Sequence, residues 1–192
     1  MPQKIFDFAI FYAKSIESDD DIRNFIAFVK DLLLDTPRIW ASVCDIEGLG
    51  KSYLELVEYG IRNSNYYFLY IDKCFAHDKW ANFQQDQCLY QYFQEPKVIV
   101  PVETIKNYQM PFALRVFTSV KLWKIFHSID GVTAKTFLED PKYYWNVCDE
   151  DYLSKMRNMF WLIRERYLEP LSLFEEKDEE KKSEHPELLF LL

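Results

Sequence analysis

Hydrophobic residues alternate along the chain between two rhythms. The run Ile5-Phe6-Asp7-Phe8-Ala9-Ile10-Phe11-Tyr12 is short, aromatic and β-branched, which predicts a strand buried on both faces. After an acidic stretch from Glu17 to Asp21, the residues Ile22, Phe25, Ile26, Val29, Leu32 and Leu33 recur every three or four positions and predict an amphipathic helix. Asp19 to Asp21 complement the positive end of its dipole, and Thr36-Pro37 ends it. Ile39 to Cys44 reads as a second strand, and Asp45 to Lys51 as a loop holding two of the four glycines. Ser52 caps a helix that reaches Asn63 along a stripe of Leu54, Val57 and Ile61. Tyr66 to Ile71 is a third strand, Trp80 to Phe93 a helix stopped at Pro96, and Lys97 to Val102 a fourth strand.

That β-α-β-α-β-α-β alternation predicts a parallel sheet with helices on both faces. Further on, the pattern gives a short helix over Pro111 to Ser119, a fifth strand over Lys121 to Phe126 and a turn at Asp140-Pro141. A long last helix follows from Asp149 to Leu168, with Leu153, Met156, Phe160, Ile163 and Tyr167 along one stripe. The fold class is therefore α/β, a central five-stranded parallel sheet flanked by helices with a long C-terminal helix. Residues 1–168 read as one domain, and residues 169–192 as an acidic, mobile tail with a short apolar end.

Composition narrows the function. Of 192 residues 49% are apolar and 18% aromatic, enough for a real core and against wholesale disorder. A net charge of −8 argues against a nucleic-acid binder, which needs a basic face, and seven acids against three lysines fall in the tail from Glu175 on. Cys44, Cys74, Cys88 and Cys148 form no C-x-x-C pair and no two histidines share a ligand spacing, so no metal site is expected and the cysteines read as thiols of a reducing compartment. With no basic-then-apolar leader and no apolar run near ~18 residues, the chain is expected to be cytoplasmic and not inserted in a membrane. His77, His127 and His185 are lone residues, and no serine or cysteine has a base at readable spacing, which leaves no nucleophile. Gly50-Lys51-Ser52 sits where a phosphate-binding loop would end, but the position five residues before Gly50 is Asp45, whose carboxylate repels phosphate. Trp80 is expected to pack its helix on the sheet.

Several of these segments, in order, resemble Toll/interleukin-1 receptor (TIR) domains. Phe6-Asp7-Phe8-Ala9-Ile10-Phe11-Tyr12 is similar to that family's first box, and Val43 to Gly50 falls where it places its second box and BB loop. The helix ending Ile61-Arg62-Asn63-Ser64, the apolar strand after it and Lys79-Trp80-Ala81-Asn82-Phe83-Gln84 follow the family's succession, and Phe160-Trp161 with Arg164 resembles its third box. Trp80-x-Asn82-Phe83-Gln84 and Pro111-Phe112-Ala113-Leu114 are nearest to the TRIF/TRAM (TICAM) class of adaptors. The resemblance implies a flavodoxin-like three-layer fold over roughly residues 4–168. Two features depart from Toll receptors: Leu49 replaces the usual proline, and Asp45-Ile46 replaces an Arg-Asp pair.

Within such a family the function is expected to be that of an innate-immune signalling adaptor. It would work without catalysis and without a cofactor, by contact with other TIR domains of receptors or adaptors and by homo-oligomerisation. The BB loop residues Asp45, Ile46, Glu47, Gly48, Leu49, Gly50 and Lys51 are the expected contact, an apolar tip of Ile46 and Leu49 rimmed by Glu47 and Lys51. The alternative is an NAD-cleaving TIR hydrolase. There a glutamate four residues after the helix tryptophan supplies the anion that stabilises positive charge on the sugar. Here Trp80 and Gln84 hold those positions, an amide brings no charge, and Asp86 faces away around the helix.

Overall fold

The computed structural model describes residues 6–13, 18–33, 37–41, 52–95 and 98–162. The chain divides into two compact units, Met1–Ser154 and Lys155–Leu192. The first contains a five-stranded sheet in the order β2-β1-β3-β4-β5, every neighbouring pair parallel. Its strands are β1 Phe6–Tyr12, β2 Ile39–Ala41, β3 Ser64–Ile71, β4 Val98–Glu103 and β5 Val120–Lys121. The helices are α1 Ser18–Leu33, α2 Tyr53–Asn63, α3 Lys79–Gln94, α4 Ala134–Glu139 and α5 Pro141–Tyr144, and α6 spans described residues 150–162. The expected α/β architecture is present.

The period of two along the central strands divides the aromatics between two helical layers. On one face Phe8 stacks on Phe68 at 4.8 Å, and Phe25 of α1 meets Tyr70 at 5.3 Å. Phe28 of α1 meets Phe137 of α4 at 5.6 Å on that same face. On the other face Ala9, Phe11, Tyr67 and Leu69 form a core with Val57 and Ile61 of α2 and with Ala81 and Cys88 of α3. Phe11 lies 5.7 Å from Trp40 and 5.9 Å from Tyr67. Because both faces of β1 and β3 are covered, these strands are apolar along most of their length, and this explains the long apolar runs in the sequence. The one acid in β1, Asp7, is nearly buried. Its Oδ2 accepts the Arg38 amide at 2.9 Å and its Oδ1 the Arg38 guanidinium at 3.0 Å, which fastens β1 to the start of β2.

Local signals set several boundaries. Ser52 caps α2 in a reciprocal box: its hydroxyl accepts from Glu55 N and its own amide donates to the Glu55 carboxylate. The buried stripe of α2 is Leu56, Val57 and Ile61, while Leu54, expected there, is 51% exposed. The expected fifth strand over Lys121 to Phe126 is shorter. After β5 the backbone tightens into a 3-10 turn, Leu122–Lys124, which buries Leu122 and Ile125 under the sheet edge. The short helix expected over Pro111 to Ser119 is a single 3-10 turn, Phe112–Leu114. Asp140-Pro141 is more than a turn, because Asp140 Oδ1 accepts from Tyr143 N and Pro141 opens α5. Of the expected long helix, residues 163–168 lie outside the described residues, as do the end of the second strand beyond Ala41, residues 45–51 and the tail.

Gly60 lies where α2 crosses Trp40. A Cβ there would stand 2.4 Å from Trp40 Cε3 and Cζ3, inside a ring that is 1% exposed. In an open helix Gly→Ala gains roughly 1 kcal/mol. Here Gly60→Ala is expected to destabilise by about 1–3 kcal/mol through overpacking. A lower denaturant midpoint at unchanged slope in a guanidinium titration would show it.

Candidate functional site

Three places carry the sequence expectations. The first, Asp45 to Lys51, lies outside the described residues. The second is the pair Trp80 and Gln84 on α3. Asp78 caps this helix, its Oδ1 accepting from Ala81 N at 2.7 Å, and that start fixes which side chains face inward. Ala81, Gln84, Gln85 and Cys88 do so. Trp80 does not: it is 40% exposed and meets Phe83 edge-on at 6.0 Å, so the expectation that it packs α3 on the sheet is corrected. Small Ala81, one position on, takes the inward place.

Gln84 is 1% exposed and its Oε1 accepts the backbone N–H of Tyr12 at 3.0 Å. Tyr12 is the last residue of β1, and β1 joins β2 from its start, where Asp7 N and Phe8 N both donate to Arg38 O. The last described pair between these strands is Ile10 with Ala41, two residues earlier. Gln84 thus satisfies a buried donor at the end of the central strand. The Tyr12 hydroxyl in turn donates to Asp19 Oδ1 at 2.9 Å, joining the strand end to the first turn of α1. Asp86 is exposed, as the helical angle from Gln84 requires.

The third place is a cleft of about 510 Å³ at the C-terminal ends of β3 and β4, between α1 and the start of α4. In open parallel sheets this is the end at which ligands bind. Tyr70, Asp72 and Thr104 form its floor, and Trp123 and His127 one wall. Asp72 is held in a turn, its Oδ1 accepting from Cys74 N and Phe75 N, each at 2.9 Å. Burial raises its carboxyl above the ordinary value; those two amides oppose the shift, and the Asp78 charge adds to it. Burial, then the charges of Asp21 and Asp72, push the Tyr70 phenol up as well. Thr104 Oγ1 donates to Ile71 O at 2.9 Å, which closes the end of β3. The Cys148 thiol, raised to about 11 by burial and then by Glu150, stays protonated and unreactive.

Sequence reasoning did not find this cleft. Lys106, Trp123, His127 and Lys135 come from the segment whose rhythm is least regular, and the topology alone gathers them. The readable signals were Thr133, whose hydroxyl caps α4 by accepting from Thr136 N, and the Asp-Pro start of α5.

No family model matches the chain. It is 23% identical over 133 residues to the 2' cyclic ADP-D-ribose synthase BtTIR of Bacteroides thetaiotaomicron, an overlap of 68% of this chain and 45% of that protein. The chain thus spans about half the length of this curated relative. Among solved structures, it is similar to the TIR domain of the Toll-related receptor TRR-2 from Hydra magnipapillata, with a TM-score of 0.46, 16% identity, and 59% of this chain and 83% of that one covered. It is also similar to the TIR domains of the activated Roq1 resistosome that recognises the pathogen effector XopQ, with a TM-score of 0.41, 15% identity, and 83% and 84% covered. The TIR resemblance has support in the curated relative; the TRIF/TRAM class has none among these proteins.

The relative also corrects the expectation that the domain has no enzymatic activity, since its name is that of a synthase of a cyclic nucleotide. The physical basis of that expectation was the missing carboxylate at position 84. It was too narrow, because Asp19, Asp21 and Asp72 also stand at the C-terminal ends of the strands.

Gln84→Ala is expected to cost about 1–3 kcal/mol by leaving the Tyr12 N–H buried and unpaired, readable by thermal or chemical denaturation. Asp72 gives a pH signature. Its folded pKa is raised, so its contribution to stability is fully present below the ordinary value of 3.8 and is lost as pH rises through the folded value. Asp72→Asn keeps an oxygen for the two amides and removes this titration. The variant should gain stability relative to the natural chain as pH rises towards neutrality, and parallel stability–pH curves for the two would contradict the assignment.

Proposed function

We propose that this chain is a TIR-type signalling domain of the adaptor kind, which works in the cytoplasm by contact with other TIR domains and by assembly with its own copies. The observation that carries this reading is an exposed apolar surface on the first unit. Phe93 is 79% exposed, Phe112 84% and Val116 80%. Phe93 meets Tyr92 at 5.6 Å, and Tyr92 meets Phe117 at 5.2 Å, which links the end of α3 to the turn holding Phe112 and Val116. Leaving several large apolar side chains in water together is costly, and a partner that covers them regains roughly 25 cal/mol per Å². A second contact is proposed from the sequence at Asp45 to Lys51, where Ile46 and Leu49 stand between the charges of Glu47 and Lys51.

Leu49→Asp and Phe93→Ser are each expected to weaken self-association at least tenfold while the melting curve stays native, read by light scattering over a concentration series. Unchanged association in both variants would overturn the reading.

A second reading, in which the domain also turns over a nucleotide, is favoured by the relative that makes 2' cyclic ADP-D-ribose. Nicotinamide release from NAD by the natural chain, beside Gln84→Glu, tests it. Release by the natural chain supports turnover by an acid other than residue 84. Release by the variant alone assigns the lost step to the missing carboxylate, and release by neither overturns this second reading.

A further inference from the structure

Between α4 and α6 the chain turns aromatic side chains both inward and outward. Asp140 Oδ1 accepts from Tyr143 N, and the four residues of α5 run on into a 3-10 turn, Trp145–Val147. Two aromatics anchor this segment: Tyr144 lies 6.1 Å from Phe137 of α4, and Trp145 lies 6.2 Å from Phe28 of α1. Its far end is fixed where Asp149 N donates to Ile125 O at 3.0 Å. The other two apolar side chains point out, Tyr143 being 76% exposed and Val147 55%. They stand four positions apart, about one helical turn, and so share a side. A segment tied down in this way presents them as a fixed pair, which lowers the ordering cost for a partner that covers them.

The charges around this pair are nearly all of one sign. From Thr136 to Ser154 the chain holds five acids, Glu139, Asp140, Asp149, Glu150 and Asp151, and one base, Lys142. Glu139 and Asp140 come shortly before Tyr143, Glu150 and Asp151 shortly after Val147, and all four are exposed. Lys142 is paired with Asp31 of α1 at 3.5 Å. A second copy of the chain would bring the same carboxylates against these, so like charge opposes a contact of this face with itself. The complementary occupant carries positive charge around an apolar residue.

We propose that this face docks a basic, arginine-bearing peptide segment of a partner protein, with an apolar residue of that segment against Tyr143 and Val147 and its guanidinium groups on the flanking carboxylates. Arginine suits both halves of the surface. Its planar group bonds a carboxylate through two N–H donors, and it stacks on an exposed aromatic ring. The ring here is Tyr143, steadied by an edge contact with Tyr144 at 5.0 Å. The face uses none of the residues proposed for assembly and does not rest on that reading.

The test is isothermal titration of the natural chain with three synthetic hexapeptides: one alternating arginine and leucine, one alternating arginine and serine, and one alternating glutamate and leucine. The arginine–leucine peptide is expected to bind roughly tenfold more tightly than the arginine–serine peptide, the size of one anchor contact, and the glutamate–leucine peptide is expected not to bind. Tyr143, Glu139 and Glu150 are exposed, so Tyr143→Ser and the double substitution Glu139→Gln with Glu150→Gln should keep the native melting curve. Tyr143→Ser should weaken the arginine–leucine peptide about tenfold. The double substitution should weaken both arginine peptides severalfold. Absence of arginine–leucine binding at millimolar concentration overturns the proposal. So does binding that both variants leave intact, which would put the peptide on the acidic sequence from Glu175 on. Arginine–serine binding as tight as arginine–leucine binding overturns the part assigned to Tyr143 and Val147.

Discussion

The buried amide of Gln84 carries a constraint on which much of the first unit depends. β1 lies between β2 and β3 and pairs with both. At its last residue, two beyond the final described pair with β2, the Tyr12 N–H is a buried donor, and leaving it unpaired would cost about 1–3 kcal/mol. Gln84 Oε1 takes it, so the position of α3 is fixed by a hydrogen bond as well as by packing. A neutral amide suits the task, because it accepts the bond without bringing a charge into a place that is 1% exposed. One side chain thus links the strand end to the register of α3.

Around this anchor the sheet is held by aromatic layers with little else to specify it. Phe8, Phe11, Tyr67, Phe68 and Tyr70 are buried along two adjacent strands, and their neighbours in α1, α2 and β2 are aromatic or branched. Among the described residues, several buried polar groups close an end. Asp7 joins the start of β2, Thr104 the end of β3, and the Tyr67 hydroxyl donates to Ile61 O at 2.8 Å at the end of α2. The ends of the strands, freed from structural duty in this way, hold the cleft and the turn of Asp72.

The first half of the unit was legible in the sequence because both faces of its strands are covered. Burial on both sides writes continuous apolar runs, and the helices between them write three- and four-residue spacing. Between Glu103 and α6 the chain runs through short 3-10 turns and four- to six-residue helices, which are too brief to display a period. Trp80 and Leu54 were misplaced because the buried stripes run one or two positions on from them, through Ala81 in α3 and through Leu56 and Val57 in α2. The bond from Tyr12 N to Gln84 was not read, since a hydrogen bond across 72 positions leaves no spacing to read. The lysines of the cleft were invisible for a similar reason: in sequence they are scattered, and only the crossing order of β3, β4 and α4 brings them to one rim.

The central proposal is that apolar faces of this unit are covered by partner domains, copies of this chain among them. Hydrogen exchange of the natural chain, followed by mass spectrometry over a range of protein concentrations, reads it most directly. Assembly predicts that peptides spanning residues 45–51, 90–94 and 112–117 gain protection as concentration rises, while peptides from β1 and β3 stay equally protected throughout. Exchange at those three segments that is identical at every concentration would contradict it.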